Sequence, residues 1–147
     1  LIAGEFYSDA QPYMTLIKEN NLSEYITLHT EFIPDGDVKY FFSACDLVVQ
    51  PYKSATQSGI SQIAYHFDKP MVVTNVGGLP EIVPDGRTGF VVEQNPAEIA
   101  DAILRYYDQN LEEEFSKNAA EEKKKYSWER MVKTIVELKD QTNDYKK

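Results

Sequence analysis

The run Ser54-Ala55-Thr56-Gln57-Ser58-Gly59-Ile60 follows shortly on the apolar stretch Leu47-Val48-Val49. A helix that starts with small hydroxyl residues and a glycine leaves backbone N–H groups free. It also sets them at the positive end of the helix dipole, an arrangement that binds phosphate without a basic side chain. Thr56, Gln57 and Ser58 add side-chain hydrogen bonds, and Gly59 permits close approach to the backbone. A second glycine-bearing exit, Val76-Gly77-Gly78-Leu79-Pro80-Glu81, follows the apolar run Met71-Val72-Val73-Thr74. Two such exits in succession predict one cleft at one edge of a parallel sheet. Tyr52, Lys53, Gly77, Gly78 and Glu81 are the residues expected to line it. Lys53 is the basic candidate for a phosphate contact, whereas Arg87, inside a turn, reads as a solvated side chain.

The elements that must carry these loops read as short apolar runs alternating with helical patterns. Strands are predicted over 1–4, 26–29, 47–50, 71–74 and 89–92. Helices are predicted over 12–19, with Met14 and Ile17 inward, over 37–44, with Val38, Phe41, Phe42 and Cys45 on one face, and over 58–67. This alternation predicts an α/β fold: a Rossmann-like parallel sheet of about five strands flanked by helices. Past Asn95-Pro96 the pattern is helical only. Pro96 suits a first helical turn, and Ile99, Ala102, Ile103 and Tyr106 recur at helical spacing. A second helix is expected over 111–126 and a third from Ser127, its N-cap, with Met131, Ile135 and Leu138 facing the core. The polar tail 143–147 is expected to fray. The reading is one domain, with an α/β core over 1–95 and a helical closing segment over 96–147.

Composition bounds the function. The 147 residues, 42% hydrophobic and 27% charged, are ordinary for a globular domain with a core of its own. No apolar run approaches the roughly 18–20 residues of a membrane span, and no signal peptide is expected. A net charge of −9 argues against nucleic-acid or membrane-surface binding. Glu112, Glu113, Glu114, Glu121 and Glu122, mixed with Lys123, Lys124 and Lys125, read as a solvated helical face. Cys45, the single cysteine, has no internal disulfide partner and is expected to be a buried, inert thiol, in keeping with a cytoplasmic protein. His29 and His66 have no Cys or carboxylate at ligand spacing, so no metal is expected. No Gly-x-Gly-x-x-Gly or Walker-type loop occurs, which argues against dinucleotide and ATPase chemistry.

Several segments carry a resemblance when taken in order. They are Leu1-Ile2-Ala3-Gly4-Glu5, Phe32-Ile33-Pro34, and the run from Phe42 through Asp46-Leu47-Val48-Val49-Gln50-Pro51-Tyr52. Ser54 to Gly59, Lys69-Pro70-Met71-Val72-Val73-Thr74, Val76 to Val83 and Asp85-Gly86-Arg87-Thr88-Gly89-Phe90-Val91 complete the set. Together they resemble the C-terminal, donor-binding half of GT-B glycosyltransferases, in particular the family 4 retaining enzymes. The match covers about residues 1 to 110, and the closing helices fit the family too.

The resemblance implies one half of a GT-B fold that binds a nucleotide-diphosphate sugar. By it, Thr56, Gln57, Ser58, Gly59 and Ile60 receive the diphosphate. Gly4, Glu5, Ile33, Pro34 and Ile63 lie on the nucleobase and ribose side, and Glu81 either bonds a sugar hydroxyl or merely sits near a helix start. The family's paired glutamates, eight positions apart, fall at Ala55 and Ile63. Neither is an acid, and Gln57 is the nearest polar substitute and the one candidate for a catalytic role. The family's Arg/Lys pair and its acceptor-binding N-terminal domain would precede Leu1, so the chain reads as an inactive fragment of an active parent. That parent is expected to transfer sugar with retention and without a metal, in polysaccharide or glycoconjugate synthesis. Any peripheral membrane association would fall to the missing half. The alternative is a non-catalytic α/β nucleotide- or anion-binding module, either a degenerate transferase half or a receiver- or flavodoxin-like domain.

Overall fold

The computed structural model describes residues 1–144. Three of its strands, β3 (Val48–Gln50), β4 (Met71–Thr74) and β5 (Gly89–Val92), form a parallel sheet in the order β3-β4-β5. Val49 pairs with Val72, and Val72 with Phe90. All four residues of β4 are buried, which is why the strand reads as an unbroken run rather than an alternation. Successive side chains of β4 enter different cores. Met71 and Val73 pack with Ala64 and Tyr65 of α3 (Gly59–His66), Leu79, Val83 and Ala119. Val72 packs with Phe90, Ala102, Tyr106 and Phe115. β5 starts flush against β4 because Gly89 has no side chain; a Cβ there would fall 1.8 Å from the Met71 carbonyl oxygen.

The closing helices are α5 (Pro96–Asp108), α6 (Glu112–Glu122) and α7 (Trp128–Asp144), with a 3-10 turn, Lys123–Tyr126, before the last. Asn95 caps α5 by accepting the Ala97 N–H at 2.9 Å, and the Ser127 hydroxyl accepts the Arg130 N–H at 3.2 Å. Asp68, left-handed at φ 56°, ends α3 while the Lys69 N–H returns to the Ala64 carbonyl. Lys123 pairs with Asp68, and Tyr126 stacks on Tyr65 at 5.7 Å, so the turn after α6 is tied to the end of α3.

The chain forms two compact units, one from Leu1 to Phe41 and one from Phe42 onward. In the first, β1 (Ile2–Ala3) pairs in parallel with β2 (Leu28–His29), accompanied by α1 (Gln11–Glu19). Helix α2 (Asp35–Ala44) carries the boundary between the units. The five strands therefore form two parallel sheets, of two and three strands, and not one sheet of about five. β1 and β2 are two residues long and largely exposed, so their apolar residues lack the two covered faces that sustain β4.

Other expectations are also corrected. Met14 is exposed, and only Ile17 of that pair is half-buried. Cys45 is half-buried, its thiol donating to the Phe42 carbonyl at 3.4 Å, and burial pushes its pKa up. Met131, Ile135 and Leu138 are 45%, 56% and 56% exposed, because α3 to α6 already close both core clusters and none of the described α7 side chains enters them. Glu122 leaves the solvated face: it is buried and paired with Lys125, and its Oε2 has no partner among the described residues. Of the tail expected to fray, residues 145–147 lie outside the described residues.

Tyr65 offers a test of this packing. It is 1% exposed, and its hydroxyl donates to the Ile82 carbonyl and contacts Thr88 Oγ1 at 3.2 Å. Desolvation pushes its pKa up to about 12, and burial raises Tyr106 as well. A folded-state value above the unfolded one means that stability is intact below pH ~10 and is lost as pH rises toward the folded value. Urea unfolding at pH 8 and pH 11 should show wild type losing about 1.4 kcal/mol more than Tyr65→Phe across that interval. At pH 8 the variant should be less stable by only about 1 kcal/mol.

Candidate functional site

After β3 the chain runs irregularly through residues 51–58 before α3 begins at Gly59. Ser58 holds the N-cap position in extended backbone, φ −131° and ψ 121°, yet its side chain makes no cap. The residue is buried, and its Oγ lies 3.5 Å from the Tyr52 hydroxyl instead. Among the described residues, no acceptor meets the Gly59, Ile60 or Ser61 N–H groups. These are the orphan donors of a helix start, carrying the positive end of its dipole. A Cβ built on Gly59 would touch nothing within 4 Å, so a side chain there would meet open space. Thr56 and Gln57 are exposed beside it, and Ile60 is 39% exposed.

The exit of β4 packs directly on this loop. Gly77 has φ 53°, and a Cβ there would fall 1.7 Å from the Ala55 carbonyl oxygen. The Gly78 N–H donates to the Thr56 carbonyl at 2.9 Å, and a Cβ on Gly78 would lie 2.8 Å from that same oxygen. The two loops thus meet main chain to main chain, a contact that only glycine allows at position 77. The structure brings Gly77 and Gly78 against Ala55 to Gln57. Beyond them α4 (Leu79–Ile82) is a single turn that carries the exposed Glu81. Lys53 is exposed on the same irregular run, and Ile63 is half-buried one turn into α3.

Three buried polar residues under these loops were not anticipated. Gln50 and Ser61 exchange hydrogen bonds, Gln50 Nε2 to Ser61 Oγ at 3.1 Å and Ser61 Oγ to Gln50 Oε1 at 3.2 Å. The Thr74 hydroxyl donates to the Tyr52 carbonyl at 2.6 Å. Gln50, Ser61 and Thr74 are each at most 2% exposed. The available signal was a polar residue closing each apolar strand, Gln50 after Val49 and Thr74 after Val73.

In the first unit, Gly4 stands at the exit of β1 with φ 129°, its N–H donating to the His29 carbonyl at 2.9 Å, and Glu5 is exposed next to it. Ile33 and Pro34, with His29, Asp37 and Phe41, line an open groove of about 570 Å³ after β2. Its wall is set by the His29 ring standing edge-on to Phe41 at 5.1 Å. Gly4 and Glu5 are not among the residues lining it. A slightly larger hollow of about 610 Å³, among Asp68, Tyr106, Glu112 and Lys117, contains none of the expected site residues.

The model of the glycosyl transferases group 1 family matches residues 1–109. The chain belongs to that family. It is 29% identical over 143 residues to an uncharacterized glycosyltransferase of Methanocaldococcus jannaschii, a match covering 96% of this chain and 39% of the relative. It is 30% identical over 123 residues to the D-inositol 3-phosphate glycosyltransferase of Paenarthrobacter aurescens, covering 82% of this chain and 30% of that one. This group 1 chain therefore spans well under half the length of these curated relatives. Its fold is shared with Anabaena HepE, crystallised in complex with UDP: the TM-score is 0.76 at 21% identity, over 95% of this chain and 40% of HepE.

The contrast between the two loop glycines is testable by urea denaturation. Gly77→Ala combines a clash with the Ala55 carbonyl and a positive φ, and should cost about 2–4 kcal/mol. Gly59→Ala meets open space at a helix start and should change stability by no more than about 1 kcal/mol.

Proposed function

We propose that this chain is the donor-binding part of a glycosyltransferase and holds a nucleotide-diphosphate sugar by its diphosphate at the start of α3. One observation carries the reading. Ser58 turns its hydroxyl to Tyr52, and the Gly59, Ile60 and Ser61 N–H groups have no acceptor among the described residues. Membership of a family of glycosyl transferases, and the UDP bound in a protein of the same fold, support it.

In this reading the bond from the sugar's anomeric carbon to the diphosphate breaks while negative charge grows on the departing phosphate oxygens. Fixed N–H donors lower that barrier because they need no reorganisation as the charge develops. Thr56 and Gln57, exposed beside the helix start, bond phosphate or sugar oxygens. With Ala55 and Ile63 where the family carries acids, neutral donors orient the sugar in this chain. Lys53 adds charge to the phosphate side. An N-terminal domain of the parent supplies the acceptor and the remaining catalytic groups. The transfer is retaining and metal-independent, and it serves polysaccharide or glycoconjugate assembly in the cytoplasm.

Calorimetric titration of the full-length protein with UDP, GDP and ADP should show saturable binding of at least one. Absence of binding by all three would overturn the reading. Gly59→Val, whose side chain would meet open space, should weaken that binding at least about tenfold, or 1.4 kcal/mol, while the melting temperature stays within a few degrees of wild type. An unchanged affinity would place the phosphate elsewhere.

A further inference from the structure

The buried polar side chains beneath the loops are not used by the function proposed above. Gln50, Ser61 and Thr74 lie among apolar neighbours such as Met71 and Ala64, where packing alone would be met by valine or leucine. Burying three polar side chains is unfavourable unless each finds a partner. Each does, and the partners they choose are specific. The Thr74 hydroxyl, at the last residue of β4, donates at 2.6 Å to the carbonyl of Tyr52, which lies in the irregular run outside any strand. Gln50, the last residue of β3, makes its reciprocal pair with Ser61 in the first turn of α3. Tyr52 in turn contacts Ser58 Oγ at 3.5 Å, at the residue just before the helix.

These bonds restrain different freedoms. The Gln50–Ser61 pair fixes the rotation of α3 about its own axis relative to β3. The Thr74–Tyr52 bond anchors the start of the loop, whose far end is held by the Gly78 N–H on the Thr56 carbonyl. A loop and helix start held at both ends present the Gly59, Ile60 and Ser61 N–H groups in one direction before any ligand arrives. Preorganisation of this kind strengthens binding by removing the cost of ordering the site.

We infer that Thr74 and the Gln50–Ser61 pair are positioning residues for the donor's diphosphate, holding the α3 start in its binding geometry. The inference rests on the function proposed above. Three variants of the full-length protein separate positioning from packing. Thr74→Val keeps the shape of the side chain and removes its hydroxyl, and Thr74→Ser restores a hydroxyl. Gln50→Leu combined with Ser61→Ala removes both partners together, which leaves no buried polar group unpaired and is expected to hold stability near wild type.

The readouts are melting temperature and the dissociation constant for whichever of UDP, GDP and ADP the wild type binds most tightly. Thr74→Val should bind about tenfold more weakly, and Thr74→Ser should return to within about twofold of wild type. The double variant should melt close to wild type yet bind about tenfold more weakly. Equal affinity of Thr74→Val and wild type, or a double variant that recovers affinity along with stability, would overturn the positioning role and leave the proposed function standing. Should Thr74→Val fail to fold, the double variant alone decides. A wild-type protein that binds none of the three overturns both.

Discussion

Burial of β4 on both faces is the constraint from which the rest of the second unit follows. Met71 to Thr74 expose no side chain, so each face must be covered by something. The face of Met71 and Val73 takes α3 with Leu79, Val83 and Ala119, and the face of Val72 takes α5 with Phe115 of α6. Because parallel neighbours leave a sheet at the same edge, β3 and β4 release their loops side by side. The irregular backbone at this edge is then stabilised by hydrogen bonds from β4 and the loop after it, from Thr74 to Tyr52 and from Gly78 to Thr56.

What could be read from residue types divides along the same line. β4 and β5 form at their predicted limits, bounded by Pro70 and opened by Gly89, because helices pack over the sheet that contains them. The first and second strands read equally apolar but shrink to two residues each, since hydrophobicity marks the chance of burial and cannot supply a partner surface. Helix α7 makes the same point. Its apolar stripe recurs at helical spacing, and Met131 and Ile135 remain about half exposed.

Residue types marked the loops but not the polarity buried beneath them. Gly77 and Gly78 were expected to line a cleft, and in the structure they meet the backbone of Ala55 and Thr56. Ser58 read as a side chain for phosphate, but its hydroxyl faces Tyr52, which a residue-by-residue reading cannot foresee. Gln50, Ser61 and Thr74 escaped notice for a related reason. A glutamine or threonine in sequence suggests solvent, and only the fold shows that these face each other or a stray carbonyl.

The contact at Gly77 places a double demand on Ala55. Ala55 meets the β4 loop through its carbonyl oxygen, so the packing depends on the path of the main chain at residue 55. The Ala55 methyl, in turn, is half-buried and packs against the core cluster that contains Ala64, Tyr65 and Met71. One residue therefore serves two neighbours at once, offering its main chain to the glycine loop and its side chain to the core. A larger side chain at residue 55 would press on the core while the main-chain contact with Gly77 stayed as it is.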